Sequence, residues 1–371
     1  MSDATSNAAT AKVLREAAKS IMHQMTRRDV LLSLPALALA RRAFAQAARP
    51  QIRVSGINHV TLSVSDVKRS VDFYQGLFGM PVASRQGMTT NLQIGNGPQF
   101  LGIAAAGANP PNINHLCLGI DDFSVDRITG VLAQHGVKKS DAADTAGTGG
   151  LGGGAMLMRV RTRGPEAGGD RAGTSELYFS DPDGFVLQLQ DTRYCGGGGA
   201  LGNVCPPPVA APTKGLLALR GWSHTTNFVS DAARAIAFYQ ELFGLRIQAH
   251  QGPTAPVLGV GGVQFLMFAG GGGRGAAPRP ASINHLCMNM EKFNPDAVIK
   301  ALESYGIKPR GSAQGAAGPL VHYISLRMEN RGGAPGGTPE LYFTDPDGLL
   351  IQLQDVSYCG GGGVLGEVCT G

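Results

Sequence analysis

The chain has 371 residues, of which 43% are apolar and 16% charged, and it carries a formal net charge of +5. That length is enough for two ordinary domains with real cores. The charge is modest and no long Lys/Arg block appears, which argues against a nucleic-acid partner. The longest apolar run, Val30 to Ala40, has about 11 residues, where roughly 20 are needed to span a bilayer.

The flanks of that run account for it. Arg27-Arg28 precede it, Arg41 and Arg42 follow it, and Ala43-Phe44-Ala45 forms a small-x-small cleavage site. Residues 1–45 therefore resemble a twin-arginine signal region cleaved near Ala45, with Met25 opening a normal-looking n-region. The expectation is a protein exported by the twin-arginine translocase to the periplasm or beyond, with no stable membrane span. That route carries folded proteins, often with a cofactor inside.

The remainder repeats itself. Ile57-Asn58-His59 through Phe73-Tyr74 to Gly79 has a partner in Trp222-Ser223-His224 through Phe238-Tyr239 to Gly244. Ile113-Asn114-His115-Leu116-Cys117 recurs as Ile283-Asn284-His285-Leu286-Cys287. Thr174–Cys205 recurs as Thr338–Cys369 with 23 of 32 positions identical. Two tandem domains follow, 54–205 and 219–369, joined by a proline-stiffened linker at 206–218.

Within the first copy, Val60, Leu62 and Val64 alternate with polar residues and predict a strand. Ser65-Asp66 caps a helix with Val67, Val71, Phe73 and Tyr74 on its apolar face, and Gly79 ends it. Gln99 to Ala105 reads as a strand. A second unit starts with the strand at His115, has a helix near Val125–His135 and predicts strands near Met156–Val160, Glu176–Ser180 and Phe185–Gln190. Asp181-Pro182-Asp183-Gly184 is a tight turn between the last two. Cys195 and Cys205, like Cys359 and Cys369, close Gly-rich segments. Matched spacing in an oxidising compartment favours local disulfides over metal ligation or free thiols.

This pattern resembles the vicinal oxygen chelate superfamily, which includes glyoxalases, bleomycin resistance proteins and extradiol dioxygenases. The pieces that carry the resemblance are the strand His followed by Phe-Tyr-x-x-x-Phe-Gly, the second strand His, and Leu-Tyr-Phe-x-Asp-Pro-Asp-Gly. It implies an α+β fold of paired βαβββ modules forming half-open mixed β-barrels, one per domain. It further implies a metal inside each barrel, with ligands His59 and His115 in the first copy and His224 and His285 in the second. The third ligand position, seven residues after the turn Asp, carries Gln188 and Gln352 where most relatives have Glu. A neutral amide is a poorer donor, so the site either holds metal through His, His and Gln or has lost tight binding.

Other residues extend this picture. Glu176 and Glu340 lie two residues before Tyr178 and Tyr342 and share their strand face. All four are candidate catalytic residues, the tyrosines as hydrogen-bond donors or acids. The glutamates are candidate substitute ligands or general bases, with a salt-bridged position as the alternative. Cys117 and Cys287 face the same way as the second His. Gln99 and Gln264 stand where extradiol enzymes carry an active-site His. Arg159, Arg161 and Arg163 alternate, forming either an anion-holding row or a solvated face. The resemblance thus implies a metal-dependent dioxygenase- or glyoxalase/lyase-like enzyme acting on a small oxygen-chelating substrate. Its cofactor would be a divalent transition metal: iron, manganese, zinc or nickel. The alternative is a metal-free small-molecule binding or sequestration protein of the bleomycin-resistance kind.

Overall fold

The computed structural model describes residues 52–141, 151, 154–253, 255–270, 280–312 and 317–370. The signal region expected at residues 1–45 lies outside them. The first copy runs β1 (Val54–Val64), α1 (Val67–Phe78), β2 (Val82–Gln86), β3 (Thr89–Gln93) and β4 (Phe100–Ala105). Its second unit is β5 (Asn112–Ile120), α2 (Val125–Gln134), β6 (Lys138–Lys139), β7 (Leu157–Arg163), β8 (Thr174–Ser180) and β9 (Val186–Asp191). The second copy opens with β10 (Gly221–Val229), α3 (Ala232–Phe243), β11 (Arg246–His250), β12 (Pro256–Gly261) and β13 (Gln264–Gly270). It ends with β14 (Ser282–Met290), α4 (Pro295–Ser304), β15 (Lys308–Pro309), β16 (Val321–Arg327), β17 (Thr338–Thr344) and β18 (Leu350–Asp355). No helix among the described residues is long and apolar enough to cross a membrane.

Each copy forms one nine-stranded mixed sheet, in the orders β2-β3-β4-β1-β5-β9-β8-β7-β6 and β11-β12-β13-β10-β14-β18-β17-β16-β15. Two βαβββ units meet where β1 and β5 pair antiparallel, and each unit's last strand runs parallel to its first. The arrangement is α+β, as the superfamily resemblance implies. The two His-bearing strands of each copy are therefore central neighbours.

Local chemistry sets the helix ends. The Asp66 carboxylate accepts from the Arg69 N–H at the start of α1, and Asp231 does the same from Arg234 for α3. Gly79 ends α1 at φ 67°, with a Cβ there only 2.0 Å from the Lys214 carbonyl, so only glycine fits. The linker does more than space the copies. Val209 exchanges two backbone hydrogen bonds of 2.8 Å with Val82 and so covers the outer edge of β2.

The two copies interlock reciprocally through the same pair of sequence motifs. Tyr74 on α1 donates to Asp345 of the second copy's turn (3.2 Å), and Tyr239 on α3 donates to Asp181 of the first copy's turn (3.3 Å). Arg69 pairs with Asp347 and Arg234 with Asp183. Phe73 and Phe78 pack on Phe343, and Phe179 on Phe243. Asp181 and Asp345 also accept backbone N–H bonds within their own turns.

Burial nonetheless dominates and pushes both turn carboxyls up from 3.8 to about 6. Because the folded value lies above the unfolded one, the folded state takes up the proton first. Stability from these groups therefore grows as pH falls through about 6 and is lost as pH rises through it. Between pH 7 and pH 5 the gain is about 1 kcal/mol per carboxyl. Asp181→Asn together with Asp345→Asn keeps the shape and the Oδ1 acceptor of the turn N–H groups, while the Tyr hydroxyl becomes the acceptor of the new NH2, and it should remove that slope in urea melts at the two pH values. An unchanged slope in the double variant would contradict the assignment.

Candidate metal centre

Sheet register brings the candidate residues into one row. Phe100 pairs with His59, His59 with Cys117, Cys117 with Gln188, Gln188 with Tyr178, and Tyr178 with Arg159. Paired residues share a face, and His115 lies two residues from Cys117, so all of them project into the same concavity. The second copy repeats the row as Phe265, His224, Cys287, Gln352, Tyr342 and Tyr323, with His285 beside it.

In the first copy the Nε2 atoms of His59 and His115 lie 3.1 and 3.0 Å from one atom, Gln188 Oε1. The rings stand edge-on at 83° with centroids 5.5 Å apart. Asn58 decides what fills the space between these atoms. Its amide NH2 donates to the Tyr194 carbonyl (2.9 Å), so its Oδ1 must face His59 Nδ1 at 2.8 Å and accept from it. His59 then carries its proton on Nδ1 and presents the Nε2 lone pair to Gln188. Asn114 Oδ1 sits 2.8 Å from His115 Nδ1. Burial holds His115 down at about 4 and His59 well below its ordinary value, so both imidazoles are neutral at physiological pH.

Lone pairs thus face one another with no proton between His59 and Gln188, while the Gln188 NH2 is buried without a partner. Either a cation among the three atoms or a Gln188 amide turned to donate its NH2 to the imidazoles removes that conflict. Two metal–ligand bonds of about 2.1 Å at a right angle separate their donors by about 3.0 Å. The observed donor spacing fits such an ion. Among the described residues no group of three His, Cys, Asp or Glu converges, because the third donor in each copy is an amide.

The second copy has the same ring geometry, with centroids 5.5 Å apart at 82°. Gln352 lies within electrostatic reach of both imidazoles but outside hydrogen-bond geometry, and its amide and His285 Nε2 are buried without partners. His285 is likewise held down at about 4 by burial.

The glutamates take the salt-bridged position, the alternative to a substitute ligand or general base. Glu176 accepts from Arg163 Nε (2.7 Å), Tyr194 OH (2.7 Å) and Arg161 Nη1 (3.2 Å). Glu340 accepts from Arg327 Nε (2.8 Å), Tyr358 OH (3.1 Å) and Tyr342 OH (3.4 Å). Arg163 and Arg327 are fully buried, so each glutamate is the counter-charge of a buried guanidinium. Nor do the alternating arginines form a solvated row. Register places Arg161 against Glu176, and Arg159 and Arg163 are buried.

Tyr178 meets the edge of His115 at 5.6 Å, and its hydroxyl has no hydrogen-bond partner among the described residues. Burial keeps that phenol protonated well above its ordinary range. Leu151 packs on its ring together with Val186. Cys117 and Cys287 are buried free thiols. Gln99 and Gln264 sit away from the metal row, bonding the Ile57 carbonyl and N–H at the junction of the copies.

Tyr194 and Tyr358 are absent from the sequence-derived set. They stack on His59 (5.6 Å) and His224 (5.5 Å), and their hydroxyls reach the glutamates. Each immediately precedes a cysteine of a closed loop, Cys195–Cys205 or Cys359–Cys369, both with Cα atoms 6.3 Å apart. The recurrence of Tyr-Cys-Gly-Gly-Gly-Gly in both copies is the signal that marks them.

The family model of the Glyoxalase/Bleomycin resistance protein/Dioxygenase superfamily matches residues 56–189 and 221–353, one segment in each sheet. The chain belongs to that superfamily. Its fold is similar to that of homoprotocatechuate 2,3-dioxygenase from Brevibacterium fuscum in complex with 3,4-dihydroxyphenylacetate. That match has a TM-score of 0.55 at 17% identity and covers 82% of each chain. The Mn(II)-bound glyoxalase from Novosphingobium aromaticivorans is similar at a TM-score of 0.51 and 15% identity, over 81% of this chain and 82% of that one. A catechol 2,3-dioxygenase matches at 0.52 and 15%, over 84% of this chain and 93% of the other. At these identities the likeness establishes the superfamily fold and leaves the chemistry to the site.

Proposed function

We propose that each copy is a metal-dependent site of this superfamily, acting on a small substrate with vicinal oxygens, in a protein exported by the twin-arginine route. The observation that carries the reading is the convergence of two buried, neutral imidazoles on the Gln188 side-chain amide, with the His59 Nε2 lone pair aimed into the space between them. His59, His115 and Gln188 would hold the ion in the first copy, and His224, His285 and Gln352 in the second. The neighbours include a Mn(II)-bound glyoxalase. Nitrogen and oxygen donors suit manganese, iron, zinc or nickel alike.

Three protein donors leave coordination positions open, and a bound divalent ion would supply Lewis-acid charge to substrate oxygens. The chain supplies the rest. Phe100 and Tyr194 flank His59 and fix its ring plane. Tyr178, kept as a phenol by burial, serves as a hydrogen-bond donor toward a substrate oxygen beside His115. Glu176 serves as the anchor of Arg163, Arg161 and Tyr194, and through Tyr194 it supports the wall of the site.

Export is supported by the Arg27-Arg28 segment and by two cysteine pairs closed at disulfide geometry, which suit an oxidising compartment. A mature N-terminus near Gln46 in the periplasmic fraction is the expected signature, and an uncut cytoplasmic protein would contradict it.

Gln188→Glu tests the metal reading directly. It adds a charge to the donor set and leaves its size unchanged. Competition with a chromophoric chelator should show tighter binding in the first copy by at least tenfold, since about 1.4 kcal/mol gives that factor. A variant that binds no metal would sink the reading.

A further inference from the structure

The two donor sets are alike in every ligand and differ in one residue behind them. His115 and His285 are each backed by an asparagine, Asn114 at 2.8 Å and Asn284 at 2.9 Å. His59 is backed by Asn58, but His224 is backed by Ser223, with Oγ 3.1 Å from Nδ1. The substitution changes what the backing group can specify. Asn58 is locked by the Tyr194 carbonyl, so its oxygen alone meets the imidazole and the proton stays on Nδ1. A serine hydroxyl both donates and accepts, so it permits either tautomer. With the proton on Nε2, His224 offers no lone pair to a metal.

The donor atoms follow this difference. In the first copy both imidazoles close on Gln188 Oε1 at 3.1 and 3.0 Å, whereas in the second Gln352 faces both imidazoles but falls outside hydrogen-bond geometry to either. The Asn58 lock is itself tied down. Its amide holds the carbonyl of Tyr194, the residue before Cys195, and its own backbone carbonyl accepts from Trp222 Nε1 at 3.2 Å. The disulfide-closed loop of the first copy thus reaches His59 Nδ1 through a single side chain and so holds the tautomer that leaves Nε2 unprotonated.

We propose that Asn58 is a positioning residue that makes the two metal sites unequal, the first copy binding divalent metal more tightly than the second. This rests on the metal reading given above. Partners behind a ligating histidine are commonly worth about 10–100-fold in metal affinity, and that is the difference expected between the copies.

The test is titration of the full chain with manganese(II), counting bound ion by loss of the free-ion EPR signal. Wild type should show one tight and one weak equivalent. His115→Ala should leave only the weak one, and His285→Ala only the tight one, which assigns each to its copy. Asn58→Ser should weaken the tight equivalent by about 10–100-fold, and Ser223→Asn should strengthen the weak one in the same range. Circular dichroism confirms that each variant is folded, and Ser223→Asn carries the test if Asn58→Ser is not. Two equal equivalents, or a tight equivalent that survives His115→Ala, would overturn the proposal with the metal reading intact. No manganese at either site would remove both.

Discussion

Arg327→Met should destabilise the second copy by about 3–5 kcal/mol, more than Arg163→Met destabilises the first. Each arginine is fully buried and donates its Nε to a buried glutamate. Each also holds a carbonyl of the disulfide loop, Gly361 at 2.8 Å from Arg327 and Gly197 at 2.9 Å from Arg163. Methionine fills the volume but leaves the glutamate charge uncompensated. The copies differ in what remains. Glu176 keeps Arg161 at 3.2 Å, whereas the position of Arg161 in the second copy is Ser325, leaving Glu340 only the hydroxyls of Tyr342 and Tyr358. Urea unfolding of the two variants reads the difference. Equal losses, or the larger loss at Arg163, would contradict the charge assignment. Adding Glu340→Gln to Arg327→Met should recover part of the loss, because it removes the stranded charge.

His115→Ala combined with His285→Ala should abolish stoichiometric metal while leaving the fold in place. Each histidine supplies one of only two imidazoles in its site, and the neutral amide that remains has no charge to compensate. The cores do not depend on these rings. They are built from residues such as Leu62, Tyr74, Leu116 and Leu187 in the first copy and Tyr239, Leu286 and Ile351 in the second. Far-ultraviolet circular dichroism of the double variant should match wild type, with metal falling from about two equivalents to none. Retained metal would place the ion elsewhere, and a collapsed spectrum would show that the rings are structural.

Much of this architecture is legible in the sequence because its signals are local. The caps of α1, its Gly79 terminus and the Asp-Pro-Asp-Gly turn each follow from the chemistry of a few adjacent residues. The histidine pair and Gln188 are legible because the repeat presents them twice at matched spacing. Register is a long-range property and is not written in any one segment. The sequence places Glu176 on the face of Tyr178, but only the pairing of β7 with β8 brings Arg161 onto it and sets the buried Arg163 beside it. Tyr74 and Asp345, 271 residues apart, likewise read as a helix residue and a turn residue until the copies meet. The exchange of Asn58 for Ser223 is visible in the sequence, yet it acquires meaning only once Tyr194 fixes the asparagine amide.

The measurement closest to the central claim is the metal content of wild-type protein purified without chelator from metal-replete cells, by inductively coupled plasma mass spectrometry. Two His, His, Gln sets, of which the first is closed, predict up to two equivalents of a divalent transition metal per chain, with the first copy filled first. Protein that carries no stoichiometric metal, and that takes up none when manganese, iron, zinc or nickel is supplied, would contradict the account.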